Sequence, residues 1–181
     1  MLPGRLDSAQ RVEKNEIKEL RMYNVYVETS IPSYLAGNKT SDIIILGHRQ
    51  ITLEWWRNKR RNYNLFISDV VIEEISAGNP VFSKKRLESL SEIPILAYNT
   101  RIEAIASKYM KHFALPGKLL RDVFHIAYCV HYEIDFLLTW NCKHLANAHI
   151  KLELARLNSR FGFKTPEICT PEELLDFHKG E

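Results

Sequence analysis

The sequence predicts an α/β fold in which a parallel sheet is covered by helices on both faces. Short apolar runs alternate along the chain with stretches whose apolar residues recur every three or four positions, the pattern of strands separated by amphipathic helices. Hairpin turn signals are largely absent, so successive strands are joined by helices and run parallel. At 181 residues and 45% hydrophobic content, the chain has material for one good core and one domain.

The first 21 residues are polar and charge-rich, with a weak helical pattern over Arg11 to Leu20. They are expected to form a helical or disordered leader to a domain spanning 22–181. Asn24 to Glu28 is the first strand, rich in Val and Tyr, and Pro32 starts a helical turn after Glu28, Thr29 and Ser30. Asp42 to Arg60 carries Ile44, Ile45, His48, Ile51, Thr52 and Trp55 at helical spacing. That reads as one long amphipathic helix with a basic tail. Leu65 to Ser68 is the second strand, and Ser68 or Asp69 caps a helix over Val70 to Ala77 that Gly78 ends. Glu73 and Glu74 are neighbours on that helix and point about 100° apart, so only one of them faces any single site.

Pro80 to Leu90 is a further helix and Ile93 to Tyr98 a third strand. Thr100 and Glu103 have the spacing of a capping box for a helix reaching Phe113. From Lys118, residues Leu119, Val123, Ile126, Ala127 and Val130 form an apolar helical stripe. Asp122, near the start of that helix, lies outside the stripe's chemistry and emerges at the rim of the core. Asp135 to Trp140 is the fourth strand, and it breaks off into Asn141, Cys142, Lys143 and His144. Leu152 to Phe161 is helical and ends at Gly162, Glu167 to Cys169 is a fifth strand, and Thr170, Pro171 and Glu173 form a second capping box.

Composition excludes several classes. The longest wholly apolar runs span only a few residues, as in Ile43 to Leu46, which gives no membrane span or signal peptide and leads to the expectation of a cytoplasmic protein. Cys129, Cys142 and Cys169 make no paired spacing, against structural zinc or disulfides, so Cys142 is read as a packed thiol and His144 as a loop imidazole. A net charge of +3 and a pI near 8.7 permit a polyanionic partner without requiring one. No Gly-rich phosphate loop and no DxD at the first strand end speak for a phosphotransferase or phosphatase.

The acids point to a chemistry. Glu28 ends the first strand, Glu74 follows the second, Asp122 precedes the fourth, and Asn141 follows it. If the first and fourth strands are neighbours, these side chains meet at the carboxyl edge of the sheet, where open α/β folds bind ligands. Converging carboxylates raise one another's pKa unless a cation sits among them, and an oxygen-rich set suits a hard ion, Mg²⁺ or Mn²⁺. His125 is read as a histidine satisfied within the core, and Trp55 and Trp56 as core and interface.

The stretches YVETSIPSYL, FISDVVIEEISAG, RDVFHIA and FLLTWNCKH, in that order, resemble the four motif regions of PIN domains, in particular the VapC-like toxin ribonucleases. The resemblance runs from Met22 to the C-terminus. It implies a three-layer α/β/α fold with a parallel sheet of about five strands in the order 3-2-1-4-5. It also implies a Mg²⁺- or Mn²⁺-dependent endoribonuclease, the toxin of a type II toxin-antitoxin pair, with RNA as substrate, a cognate antitoxin as partner and a homodimer as assembly. Glu28, Glu74, Asp122 and Asn141 fall on the family's catalytic and metal-binding positions, and Ser30 and Thr139 on the hydroxyls that orient them. Lys118, Arg121, Lys143 and His144 are the neighbouring candidates for phosphate contact. Two positions depart from the pattern: Glu28 stands where an aspartate is usual, and Asn141 where many members have a fourth acid. The alternative expectation is a catalytically weakened PIN-like domain that acts as an RNA-binding or regulatory module.

Overall fold

The computed structural model describes residues 22–37, 40–113 and 120–175. The leader at 1–21, including the helix expected over Arg11 to Leu20, and also Lys118 and Leu119, lie outside the described residues. In chain order the elements are β1 (Tyr23–Val27), α1 (Ser30–Ala36), α2 (Ile43–Asn58), β2 (Tyr63–Ser68), α3 (Asp69–Ser76) and α4 (Pro80–Ser89). Then follow β3 (Ile95–Leu96), α5 (Thr100–Phe113), α6 (Leu120–His131), β4 (Phe136–Leu138), α7 (Ala148–Phe161), β5 (Glu167–Cys169) and α8 (Pro171–Leu175).

The five strands form one all-parallel sheet in the order β3-β2-β1-β4-β5, flanked by helices. The innermost strand is β1, whose Val25, Tyr26 and Val27 have no exposed surface. Covered on both faces, it needs apolar side chains at successive positions rather than alternate ones. The register pairs Val27 with Leu138, so the residues just beyond β1 and β4 leave the sheet side by side. From α6, Val123, Ile126, Ala127 and Val130 close over this core, as their spacing predicts. No helix among the described residues is long and apolar enough to cross a membrane.

Several local expectations are corrected. Of the apolar face read into α2, Trp55 and Thr52 are buried, but Ile44 and Ile45 are 66% and 41% exposed, as are Ile43 and Leu46 on either side of them. Four consecutive apolar residues point all around a helical turn, so they cannot all face the core. The third strand shrinks to Ile95 and Leu96 because it is an outer strand and the chain turns away at Ala97, whose carbonyl is taken by the Tyr132 hydroxyl (2.7 Å). The capping box at Thr100 does not form. Asn99 caps α5 instead, its Oδ1 accepting from the Arg101 N–H (2.8 Å), while Glu103 accepts from Tyr98 (2.8 Å). Cys142 is exposed, not packed.

Candidate metal centre

Glu28 is placed by the strand register. Its N–H donates to the Leu138 carbonyl (3.1 Å), which continues the β1–β4 ladder by one bond and sets Glu28 beside Thr139. The side chain is buried, and Oε2 accepts from the Ser30 N–H (3.0 Å), the Ser30 hydroxyl (2.5 Å) and the Thr139 hydroxyl (2.7 Å). Each hydroxyl is itself anchored by a backbone N–H from the segment that follows β4. Ser30 Oγ accepts from the Trp140 N–H (2.8 Å), and Thr139 Oγ1 from the Asn141 N–H (2.9 Å). Both hydroxyl protons are therefore directed at Glu28, and the carboxylate is held in one orientation.

Glu74 arrives from α3, one residue beyond the exposed Glu73. Its Oε2 accepts from Thr29 Oγ1 and from His125 Nε2 (3.1 Å), and Arg121 Nη1 lies 3.7 Å from Oε1. Burial pushes the Glu74 carboxyl up, but hydrogen bonds from His125 and Thr29, with the charges of His125 and Arg121, outweigh it and leave the group below its ordinary value. Since an ionised carboxylate only accepts, Nε2 of His125 carries a proton. Nδ1 pairs with the Tyr26 hydroxyl (2.8 Å), which pairs in turn with Ser68 Oγ (2.6 Å). A chain of hydrogen bonds thus runs from the end of β2 through the core strand to Glu74.

Asp122 is half-buried on the first turn of α6. Burial raises its carboxyl first. His125 and His144 pull it down, while Glu28 and Glu74 push it further up, and the net shift is upward. The three acids therefore share one electrostatic neighbourhood. Asn141 serves Asp122 directly: Nδ2 donates to Asp122 Oδ1 (3.0 Å), and Oδ1 accepts from the His144 N–H (3.2 Å). A backbone N–H can only donate, which fixes the amide with its oxygen toward His144. This differs from the expectation of an Asn141 oxygen facing a cation.

Glu28, Glu74 and His125 each present a ligand atom within 4.8 Å of the others, with Asp122 at the rim of that set. Buried Glu28, half-buried Glu74 and Asp122, whose ionisation they oppose, make a set that could hold a divalent cation, which would relieve that repulsion. Sequence reading placed His125 in the core, where it is buried with both ring nitrogens partnered, but gave it, Tyr26 and Thr29 no part in the site. The signal for His125 was its place one turn beyond Asp122, which puts the two on one face of α6. Of the phosphate candidates, Arg121 is exposed but faces Glu74, Lys143 is exposed, His144 is half-buried beside Asp122, and Lys118 lies outside the described residues.

A five-stranded parallel sheet in this order, flanked by helices, with Glu28 directly after β1, Glu74 on the helix after β2 and Asp122 on the helix before β4, is a PIN-domain fold of the VapC kind. Among solved structures, VapBC-1 from nontypeable Haemophilus influenzae matches over 82% of this chain and 98% of its own, with 19% identity and a TM-score of 0.50. VapBC2 from Rickettsia felis, solved bound to a DNA fragment from its promoter, matches over 81% and 98%, with 11% identity and a TM-score of 0.47. At such identities the likeness concerns the fold. No family model and no curated protein sequence matches the chain.

Proposed function

We propose that the chain is a metal-dependent endoribonuclease, the toxin of a type II toxin-antitoxin pair, with its domain spanning 22–181. The observation that carries this reading is the meeting of Glu28, Glu74 and His125 within 4.8 Å, with Asp122 in electrostatic reach of both glutamates, in a PIN-type sheet. Glu28, Glu74 and Asp122 would hold Mg²⁺ or Mn²⁺, which when bound lowers the pKa of a water and withdraws charge from the phosphoryl group. Ser30 and Thr139 fix Glu28, Thr29 and His125 fix Glu74, and Asn141 fixes Asp122. Arg121, which faces Glu74, His144, near Asp122, and the exposed Lys143 are the candidates for contact with backbone phosphates of RNA.

The protein partners of this reading are a small antitoxin and a second copy of the chain. The exposed turn Ile43 to Leu46 supplies an apolar surface of the kind protein contacts use.

One observation favours the alternative of a weakened, RNA-binding or regulatory domain. Asn141 stands in place of a fourth acid and has its oxygen engaged by His144. Cleavage of single-stranded and structured RNA with Mn²⁺ decides between the two. The nuclease reading expects turnover by the wild type and a loss of at least about a hundredfold in Asp122→Asn. Binding without Mn²⁺-dependent cleavage by the wild type establishes the alternative.

A further inference from the structure

A cavity of about 350 Å³ opens beside Ser30, bounded also by Ser33, Tyr34, Gly37, Thr40 and Arg49. Most of its polar side chains are committed elsewhere. Ser30 Oγ donates to Glu28 (2.5 Å), Ser33 Oγ to the Thr29 carbonyl (2.8 Å), and the Tyr34 hydroxyl bonds His48 Nδ1 (3.1 Å). Thr40 Oγ1 accepts from the Asp42 N–H (3.1 Å). Arg49 is the exception. Its Nε is buried and has no hydrogen-bond partner, and among the described residues no carboxylate pairs with its guanidinium. An enclosed guanidinium nitrogen without an acceptor is costly, because water is lost and nothing replaces it.

The position of this cation matters as much as its lack of a described partner. Ser30 borders the cavity and also orients Glu28, so the cavity adjoins the candidate metal centre through that residue. A second cavity, of about 430 Å³, shares Gly37 and Arg49 with the first and carries Lys85. Its one carboxylate, Glu88, is taken up by Lys84 (3.9 Å). Cations therefore continue away from the centre, as a repeating polyanion requires. A guanidinium presents a planar fork that matches two phosphate oxygens.

We propose that Arg49 binds a backbone phosphate of the RNA strand next to the linkage that is cut, an assignment that rests on the nuclease reading above. The Thr40 hydroxyl, whose proton has no acceptor among the described residues, lies in the same cavity.

The test is equilibrium binding of a fluorescein-labelled single-stranded RNA in EDTA across a salt series, for wild type, Arg49→Gln and Arg49→Lys. Arg49→Gln is expected to bind about tenfold more weakly. It should also lose about 0.7 from the slope of log affinity against log salt, one phosphate contact on a single strand. Arg49→Lys keeps that slope. Because Arg49 has no hydrogen-bond or ion-pair partner to lose among the described residues, the melting temperature of Arg49→Gln should not fall, and a large fall would mark a structural role and overturn the proposal. Unchanged affinity and slope in Arg49→Gln also overturn it, as does Arg49-dependent binding of an oligoglutamate peptide with no Arg49 dependence for RNA. A parallel cleavage assay with Mn²⁺ separates the two readings. Arg49-dependent RNA binding without cleavage refutes the nuclease and keeps the subsite, whereas cleavage indifferent to Arg49→Gln, in rate and in KM, refutes the subsite alone.

Discussion

Asp122 illustrates how a single side chain can weaken a fold while equipping it. Burial and the nearby acids raise its carboxyl above the ordinary 3.8. The folded state therefore binds its proton more tightly than the unfolded chain does. The resulting stabilisation is full below the ordinary value and disappears as pH rises through the raised one, so at neutral pH the ionised group works against the metal-free fold. Asp122→Asn should melt higher than wild type in EDTA at neutral pH, with the gap closing as the pH is lowered, while RNA cleavage is lost. A lower melting temperature at every pH would contradict this account. Tyr26 acts at one remove, since its hydroxyl holds His125, which holds Glu74. Tyr26→Phe leaves Ser68 and His125 each short of a partner and should cost about 1–3 kcal/mol in denaturant titrations. Cleavage should drop by about 10–100-fold with KM little changed, the mark of a misplaced ligand and not of lost substrate contact.

At the scale of helices and strands, two helix ends solve one problem differently. After α7 the chain turns through Gly162 at φ +69°, with Phe163 N–H bonding the Asn158 carbonyl (2.9 Å). After α6 the same six-residue closure, Ile134 N–H to the Cys129 carbonyl (2.9 Å), passes through Glu133 at φ +51°. A side chain in that left-handed region is strained, so Glu133→Gly should stabilise the protein by about 0.5–1 kcal/mol in urea unfolding. Legibility followed the same local logic. The glycine end of α7 and the box at Thr170 were readable because nothing competes with them; Glu173 accepts from both the N–H and the hydroxyl of Thr170 (2.7 and 2.9 Å). The box at Thr100 was misread because Asn99, one residue earlier, is a better cap, and Tyr98 claims Glu103. Strand order came from motif resemblance, since periodicity reports which face is buried and not which strand lies alongside. The acids Glu28, Glu74 and Asp122 were visible as residues at strand and helix ends. The links through Thr29, Tyr26 and His125 were not, because they join positions 42 to 99 residues apart and leave no local spacing to read.

For the molecule as a whole, the proposed ion and the exposed turn of α2 make separate predictions. If Glu28, Glu74 and Asp122 hold the cation, Mn²⁺ at about a hundred times its Kd should add ~2.7 kcal/mol of stability, a rise of about 5–10 °C in Tm for a chain of this size. Differential scanning calorimetry should show the rise in wild type and its loss in Asp122→Asn; equal rises in both would place the ion elsewhere. Ile44 tests assembly. Sedimentation equilibrium should give twice the chain mass for wild type and the single mass for Ile44→Asp, and a wild-type monomer would remove the homodimer from the proposal. The sheet itself should play no part in self-association. Its outermost strands are β3, two residues long, and β5, three residues long. A neighbouring polypeptide finds too few free amides along either margin to zip onto. Concentrated solutions should accordingly remain free of fibrils, and any stickiness should travel with the isoleucines of α2.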